Sequence, residues 1–144
     1  FYHQHAPELQ SWEDGRARFL VFDNGNARAD AEGEVHWWPS YSRAVELELD
    51  ESTRRAALVW HYGPSDEEHP EHFYSDGTGD ADMLLGGDRV QFSVGWDDPP
   101  WIAEVSYPAG ELLWRLECPH AGELYRVGWA PSLYETGWWY EVER

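Results

Sequence analysis

Hydrophobic and polar residues alternate in short runs along the chain, a period typical of half-buried β-strands. The clearest run is residues 43–49, where Val45 and Leu47 alternate with Glu46 and Glu48. Neighbouring side chains of a strand point to opposite faces, so we expect the apolar residues to face a neighbouring sheet and the glutamates to face the other side or solvent. The same pattern predicts eight strands, near residues 4–9, 18–22, 42–49, 56–62, 80–85, 89–94, 101–107 and 111–117.

The predicted strands form two copies of one four-strand pattern, residues 3–63 and residues 79–118. The first strands of the two copies read HAPEL and DADML, so His5 stands where the second copy has Asp80. A four-stranded antiparallel unit that repeats along a chain is typical of a β-propeller blade, whose faces only neighbouring blades can cover. This difference between the copies makes His5 a candidate functional residue, because the first strand of a blade lines the central channel.

A third predicted unit is incomplete. Residues 124–129 look like the inner strand of another blade, so part of a third blade is expected at 124–143. A closed propeller needs about four to eight blades. We therefore predict an all-β fold, a partial β-propeller over residues 1–144 that the rest of a longer polypeptide or other protein chains complete. The insertions at 27–40 and 63–79 have the length of binding loops.

The chain is strongly acidic. It carries 28 Asp and Glu residues against 10 basic residues, all of them arginines, for a formal net charge of −18. Nucleic acids and anionic membranes need clustered positive charge, so the composition argues against both classes of partner. An anionic small molecule approaches against this mean field, and a local cluster of Arg and His has to dominate within about 10 Å.

The cellular location is weakly constrained by the sequence. A single cysteine, Cys118, excludes an internal disulfide and is expected to be a small, half-buried apolar group. No run approaches the roughly 20 apolar residues of a membrane span. No signal peptide is visible, but the chain does not begin with Met, so this absence decides little about secretion.

Several runs of residues, taken in order, match one family. The most specific stretch joins LVFDNGN at residues 20–26 to YSRAVE at residues 41–46. Shorter matches lie at residues 4–6, 59–63, 73–75 and 125–127. This succession resembles the C-terminal part of the bacterial aryl-sulfate sulfotransferases. The resemblance implies a six-bladed propeller with its active site in the central channel. It also implies an enzyme, periplasmic or secreted and often dimeric, that moves a sulfuryl group from an aryl sulfate to a phenol without a nucleotide donor or other cofactor.

The resemblance also implies roles for individual residues. His5 matches the histidine of a Gln-His motif that becomes transiently sulfated, and a neutral imidazole is a suitable nucleophile at sulfur. Arg126 and Tyr125, on the next predicted inner strand, are candidates for binding the substrate, as is His3, two residues before His5. No metal ligand is implied. Residue type and position alone favour a merely polar His5 and an Arg126 paired with a carboxylate, so both functional roles depend on the resemblance.

Two other functions are open. The family often has a small hydroxyl residue just before its Tyr-Arg pair, whereas this chain has Glu123-Leu124. A carboxylate there repels a sulfate ester, which favours a non-catalytic propeller that serves as a binding or assembly scaffold, extracellular or at a cell surface. The acidic loops also suggest a calcium-dependent carbohydrate-binding domain, with Asp76, Asp80 and Asp82 as candidate ligands.

Polar residues inside the specific stretch have structural interpretations as well. Asp23, Asn24 and Asn26 are expected to form a turn, because Asx side chains bond their own backbone and favour such bends. Residues 41–43 are expected to hold the first insertion in place. Neither group is predicted to contact a substrate.

Overall fold

The protein is all-β, as the hydrophobic pattern predicts. The computed structural model describes residues 3–29, 32–36, 41–63, 73–96 and 99–129. They form ten strands: β1 (Gln4–Glu13), β2 (Arg16–Asp23), β3 (Arg28–Ala29), β4 (Val35–His36), β5 (Arg43–Asp50), β6 (Arg55–Tyr62), β7 (Asp80–Met83), β8 (Arg89–Val94), β9 (Trp101–Ser106) and β10 (Leu112–Glu117). Within these described ranges the chain has no helix, and so none suited to crossing a membrane. All eight predicted strands form, and the short β3 and β4 are the two that the pattern did not predict.

The strands make two four-stranded antiparallel sheets and one small hairpin. The first sheet has the order β1-β2-β5-β6 and the second the order β10-β9-β8-β7, while β3 and β4 pair with each other. Each large sheet is a meander, and the hairpin is inserted into the first one, between β2 and β5. The first strands, β1 and β7, lie against each other at one edge of the structure, here called the inner edge. The two sheets are the two predicted blades of a partial propeller, whereas closure of six blades into a ring stays a prediction.

The two sheets pack against each other over an apolar core. Phe22 of β2 and Phe92 of β8 are almost wholly buried there. Phe73, from the second insertion, lies between the sheets with its ring centroid 5.5 Å from that of Phe92 and 5.1 Å from that of Trp101. Burying one such aromatic side chain contributes on the order of 2 kcal/mol. Phe73 therefore anchors the segment that follows it, and that segment forms part of the site described below.

β5 alternates as predicted, but its polar face is covered. Val45 is wholly buried on one side of the first sheet, and Glu46 on the other side is only 2% exposed. Glu46 accepts a hydrogen bond of 2.6 Å from the Tyr107 hydroxyl, and its carboxylate lies 3.8 Å from the Arg18 guanidinium. Glu46 does point away from Val45, but it faces the second sheet rather than solvent. Burial of the Glu46 carboxylate is tolerated because Tyr107, which directly follows β9 of the second sheet, donates a hydrogen bond to it.

The last strand of each sheet carries exposed apolar residues. In β10, Leu112, Trp114 and Leu116 are 54%, 38% and 53% exposed. In β6, Leu58 and Val59 are 48% and 42% exposed. Apolar surface of this extent is typical of a sheet that packs against another element. That further blades cover these residues remains a prediction.

Residues 124–129, predicted as the inner strand of a third blade, do not form a strand. The Leu124 N–H donates to the Gly95 carbonyl at 3.2 Å, and the Gly79 N–H donates to the Tyr125 carbonyl at 3.3 Å. These contacts attach the segment to the second sheet, but a strand requires a continuous ladder of such bonds. The remainder of the predicted part blade lies outside the described residues.

Candidate functional site

Three segments meet at the inner edge beside His5. They are the start of β1, the start of β7 and the irregular segment that contains Tyr125. The rings of His5 and Tyr125 lie edge to face, with their centroids 6.2 Å apart and their planes at 83°. The fold thus brings together two predicted site residues from opposite ends of the described chain.

A β-bulge directly follows His5 in β1. His5 pairs with Phe22 and Glu8 pairs with Leu20, so β1 has one residue more than β2 over this stretch. Ala6, inside the bulge, has a φ of 47°, which residues other than glycine seldom adopt. Bulges re-aim side chains and are frequent next to active sites. The unusual backbone beside His5 is therefore a reason to look for function at this position.

His5 is held by a hydrogen bond to Asn24, the first residue after β2. His5 Nδ1 lies 2.6 Å from Asn24 Oδ1, and Asn24 is wholly buried whereas His5 is half-buried. The Asn24 amide nitrogen donates to two backbone carbonyls, that of Ser75 at 2.6 Å and that of Thr78 at 2.8 Å. His5 Nε2 has no hydrogen-bond partner among the described residues. One imidazole nitrogen is therefore fixed and the other is open.

Asn24 belongs to a buried polar cluster with Ser42, Ser75 and Thr78, here called the Asn24 network. Ser42 Oγ donates to the Asn24 carbonyl at 2.9 Å and accepts from the Ser75 N–H at 2.9 Å. The Ser75 and Thr78 hydroxyls hydrogen-bond to each other at 2.9 Å. None of the four residues is more than 4% exposed. Because buried polar groups need partners, the network joins β2, β5 and the segment before β7 into one support for His5.

The run from Asp23 to Asn26, predicted as a turn, is largely buried. Asp23 is wholly buried and accepts a hydrogen bond from Arg43 Nε at 3.1 Å. Asn26 accepts a hydrogen bond from the Tyr74 hydroxyl at 2.9 Å and donates to the Asp76 carbonyl. The chain does bend here, but these side chains bind other segments of the protein. Sequence reasoning missed this because Asp and Asn after a strand have the same signature in an exposed bend and in a buried one.

Three carboxylates lie at the inner edge, those of Glu8, Asp80 and Asp82, and Arg126 is near the last two. The pKa of Asp82 is raised to about 6, first by burial and then by the charges of Asp80 and Glu8, and the charge of Arg126 partly opposes the increase. Burial also raises the pKa of Asp80, again opposed first by Arg126. Glu8 Oε2 accepts a hydrogen bond of 2.9 Å from the Met83 N–H. The described part of the site is thus acidic, and Arg126 lies within electrostatic range of Asp80 and Asp82.

Replacing Asp82 with asparagine is expected to reduce the pH dependence of folding. The Asp82 pKa is higher in the folded protein (about 6) than its ordinary value of 3.8. This raised pKa favours the fold at low pH, and the contribution is lost as the pH rises from about 4 to about 6. The wild-type free energy of unfolding should fall by about 2 kcal/mol over this range because of Asp82. Urea unfolding at several pH values should therefore show the stability of the variant relative to the wild type increasing by about 2 kcal/mol between about pH 4 and about pH 6.

The control for this prediction is Asp88→Asn, because the Asp88 side chain is 74% exposed. Its stability curve should run parallel to that of the wild type. An Asp82→Asn curve that also runs parallel to the wild type would contradict the raised pKa.

The structure places the other predicted site residues as follows. Tyr125 is 54% exposed, and the Arg126 guanidinium lies 5.4 Å from the centre of the Tyr125 ring. His3 is exposed, precedes β1 and has a φ of 60°. Among the described residues, His3 makes no hydrogen bond or ring contact with His5 or Tyr125. Tyr125 is thus the predicted binding residue that meets the His5 ring, with Arg126 beside it.

Asn24 is the residue of this site that sequence reasoning did not identify. A usable signal was the predicted pairing of the first two strands, which leaves the residue after the second strand next to the start of the first. In the structure Gln4 pairs with Asp23, so Asn24 comes directly beside His5. The choice between a turn residue and a partner for His5 depends on burial, which alternation does not reveal.

The described residues offer no metal centre. No group of three or more His, Cys, Asp or Glu side chains in this part of the chain is arranged to hold a metal ion. Asp80 and Asp82, considered as calcium ligands, have Arg126 as an electrostatic neighbour instead. Cys118 is half-buried and carries a free thiol.

Comparison with known proteins agrees with the resemblance that the runs LVFDNGN and YSRAVE carry. The family model described as Arylsulfotransferase (ASST) matches residues 1–121, which include both sheets and the whole Asn24 network. A comparison with curated proteins gave no match. The family match covers well over half of the sequence. The chain therefore belongs to the arylsulfotransferase family.

Proposed function

We propose that the protein is a sulfotransferase that moves a sulfuryl group from an aryl sulfate to a phenol through a covalent intermediate on His5. Membership of the arylsulfotransferase family supports sulfuryl transfer in general. The observation that carries the assignment to His5 is its hydrogen bonding at the inner edge, with Nδ1 bound to the buried Asn24 and Nε2 open. An imidazole fixed at one nitrogen and free at the other is suited to nucleophilic attack.

The proposed reaction consists of two displacements at sulfur. In the first, the lone pair of His5 forms an N–S bond while the bond from sulfur to the aryl oxygen breaks, and that electron pair leaves with the phenolate. In the second, the acceptor phenol loses its proton and attacks sulfur, and the electron pair of the N–S bond returns to the imidazole. The proton lost by the acceptor reaches the released phenolate through solvent. Dividing one transfer into two easier steps is the advantage of a covalent intermediate.

An anionic donor has to bind at an acidic site. Charge that develops on the sulfuryl and bridging oxygens needs fixed cationic donors to stabilise it. We assign one of these roles to Arg126, assisted by the Tyr125 hydroxyl, because the Tyr125 ring lies against that of His5 and the Arg126 guanidinium lies 5.4 Å from the centre of the Tyr125 ring. The remaining donors are proposed to come from the blades that complete the propeller.

The proposal also names partners and a location. The missing blades come from the rest of a longer polypeptide or from other protein chains, and a homo-oligomer is one arrangement that supplies them. The family resemblance favours the periplasm or secretion. His5 itself carries the transferred group, so the proposed reaction requires no cofactor.

Incubating the intact protein with a chromogenic aryl sulfate and a second phenol tests the proposed function. We expect release of the coloured phenol, formation of the sulfate ester of the acceptor, and ping-pong kinetics, because the first product leaves before the acceptor reacts. The matched control omits the acceptor, which should limit release to about one equivalent per site. Transfer no faster than in the absence of protein would overturn the proposal.

A non-catalytic scaffold of the same family is the second candidate function. Glu123 favours it, because this exposed carboxylate precedes Tyr125 by two residues and repels sulfate esters. A folded protein that transfers no sulfuryl group in the assay above is the result that supports the scaffold.

A further inference from the structure

We infer that Asn24 is a positioning residue that keeps neutral His5 in the tautomer with its proton on Nδ1, so that Nε2 is the atom that receives the sulfuryl group. The second half of this inference rests on the proposed function. The tautomer does not, because it is a property of the resting protein. The family match identifies neither the tautomer nor the reacting nitrogen.

The orientation of the Asn24 amide follows from its partners. The carbonyl oxygens of Ser75 and Thr78 can only accept hydrogen bonds, so the amide nitrogen of Asn24 has to face them. Its Oδ1 atom then has to face His5, and an amide oxygen cannot donate. The short contact of 2.6 Å between His5 Nδ1 and Asn24 Oδ1 is therefore a hydrogen bond donated by Nδ1. A neutral imidazole has one proton, so its lone pair is on Nε2.

The support behind Asn24 makes this orientation hard to reverse. Asn24 and the two residues whose carbonyls it binds are almost wholly buried. A flipped amide would place its oxygen against two carbonyl oxygens and remove the amide donor from both of them, which is costly away from water. Ser42 Oγ holds the backbone carbonyl of Asn24 as well. The amide is fixed before any substrate arrives, which is the arrangement that preorganised sites use.

A neutral acceptor is the suitable partner for a nucleophilic imidazole. A carboxylate in the place of Asn24 would also accept the Nδ1 proton, but its charge would raise the His5 pKa and keep the ring protonated near neutral pH. An amide oxygen carries no full charge and still stabilises the positive charge that grows on the imidazole as the N–S bond forms. This predicts different consequences for leucine and aspartate at position 24.

The tautomer can be read by long-range ¹H–¹⁵N NMR of protein labelled at histidine, with the His5 signals identified by their loss in His5→Gln. We expect a protonated Nδ1 and an unprotonated Nε2 for wild-type His5 above its pKa. Asn24→Leu should shift the proton wholly or partly to Nε2, which is the nitrogen that carries it in free histidine. The matched control is Ser42→Ala, which disturbs the same buried network but keeps the bond to His5 and should keep the tautomer.

Asn24→Asp separates positioning from a merely structural role. It should retain the Nδ1 proton, raise the midpoint of the His5 titration by about one pH unit or more, and move the acid limb of kcat/KM to higher pH by the same amount. A structural role alone would lower kcat/KM equally at every pH and leave the titration in place. Either that result, or a wild-type His5 protonated at Nε2, or an unchanged tautomer in Asn24→Leu would overturn the inference.

These measurements separate the two proposals. A His5 with the expected tautomer in a protein that transfers nothing overturns the proposed function alone. An active protein whose His5 carries its proton on Nε2 overturns the present inference alone. If Asn24→Leu does not fold, the wild-type tautomer and the Asn24→Asp titration decide the question.

Discussion

Replacing His5 with alanine is expected to lower kcat/KM for sulfuryl transfer by at least about 10³-fold, because the variant lacks the atom that carries the sulfuryl group. The fold should survive, since His5 is only half-buried and its removal deprives Asn24 Oδ1 of one partner. The expected cost in stability is about 1 kcal/mol. Initial rates of transfer to a phenol, together with urea unfolding of the same samples, measure both effects.

Two variants control for effects other than loss of the nucleophile. His61→Ala removes an exposed imidazole from β6, the strand at the opposite edge of the first sheet, and should leave transfer unchanged. His5→Gln keeps a polar side chain at the site and should be as inactive as His5→Ala. A His5→Ala rate within about tenfold of the wild-type rate would remove His5 from the reaction.

Replacing Gly79 with alanine is expected to destabilise the fold by about 3 kcal/mol or more. Gly79 has a φ of 127°, a conformation that L side chains seldom adopt. An alanine Cβ would lie 2.3 Å from Cε1 of Phe22, and that ring is wholly buried in the core between the sheets. Phe22 has no room to withdraw in a closely packed core, so strain and overpacking add. The shift of the urea midpoint measures the loss.

The same substitution should also reduce transfer. Gly79 follows Thr78, whose carbonyl accepts a hydrogen bond from Asn24 at 2.8 Å. A displaced backbone at this point loosens the support of His5, so we expect a lower kcat even where the variant remains folded. The matched control is Gly77→Ala, because a Cβ there meets no atom within 4 Å and its φ lies outside the strained region. A Gly79→Ala protein as stable as Gly77→Ala would contradict the packing described here.

The strands could be predicted because apolar and polar residues alternate wherever one face of a strand packs against a core. Residues 89–94 were predicted as a strand with the observed bounds, and β1 continues four residues further than expected, to Glu13. What covers each face could not be predicted in the same way. Glu46 alternates like a solvent-facing residue, yet a hydroxyl from the other sheet makes its burial possible. Burial of a charge depends on a partner that is distant in sequence.

Residues 124–129 show a second limit of the pattern. Their apolar residues look like those of a strand, but strand formation requires a neighbouring ladder as well as suitable side chains. Among the described residues, the backbone–backbone hydrogen bonds of this segment are two isolated ones, to Gly95 and Gly79, and not a ladder. The pattern identified a segment that belongs beside the second sheet, without determining its conformation.

Half of the candidate site follows from the sequence. The runs shared with the family identified His5 and Tyr125, and the fold does bring their rings together. Asn24 could not be recognised, because its role depends on the carbonyls of Ser75 and Thr78, which reach it only after the two sheets have packed. The bulge after His5 has no signature either, since its strained residue is an alanine.

The most direct test of the central claim, that His5 carries the sulfuryl group, is to locate the covalent adduct. The protein is incubated briefly with an aryl sulfate and no acceptor, quenched under alkaline conditions, digested and examined by mass spectrometry. We expect one acid-labile sulfuryl group on the peptide that contains His5, and its loss when a phenol is added before the quench. An adduct on a different residue, or turnover with no adduct on that peptide, would contradict the claim.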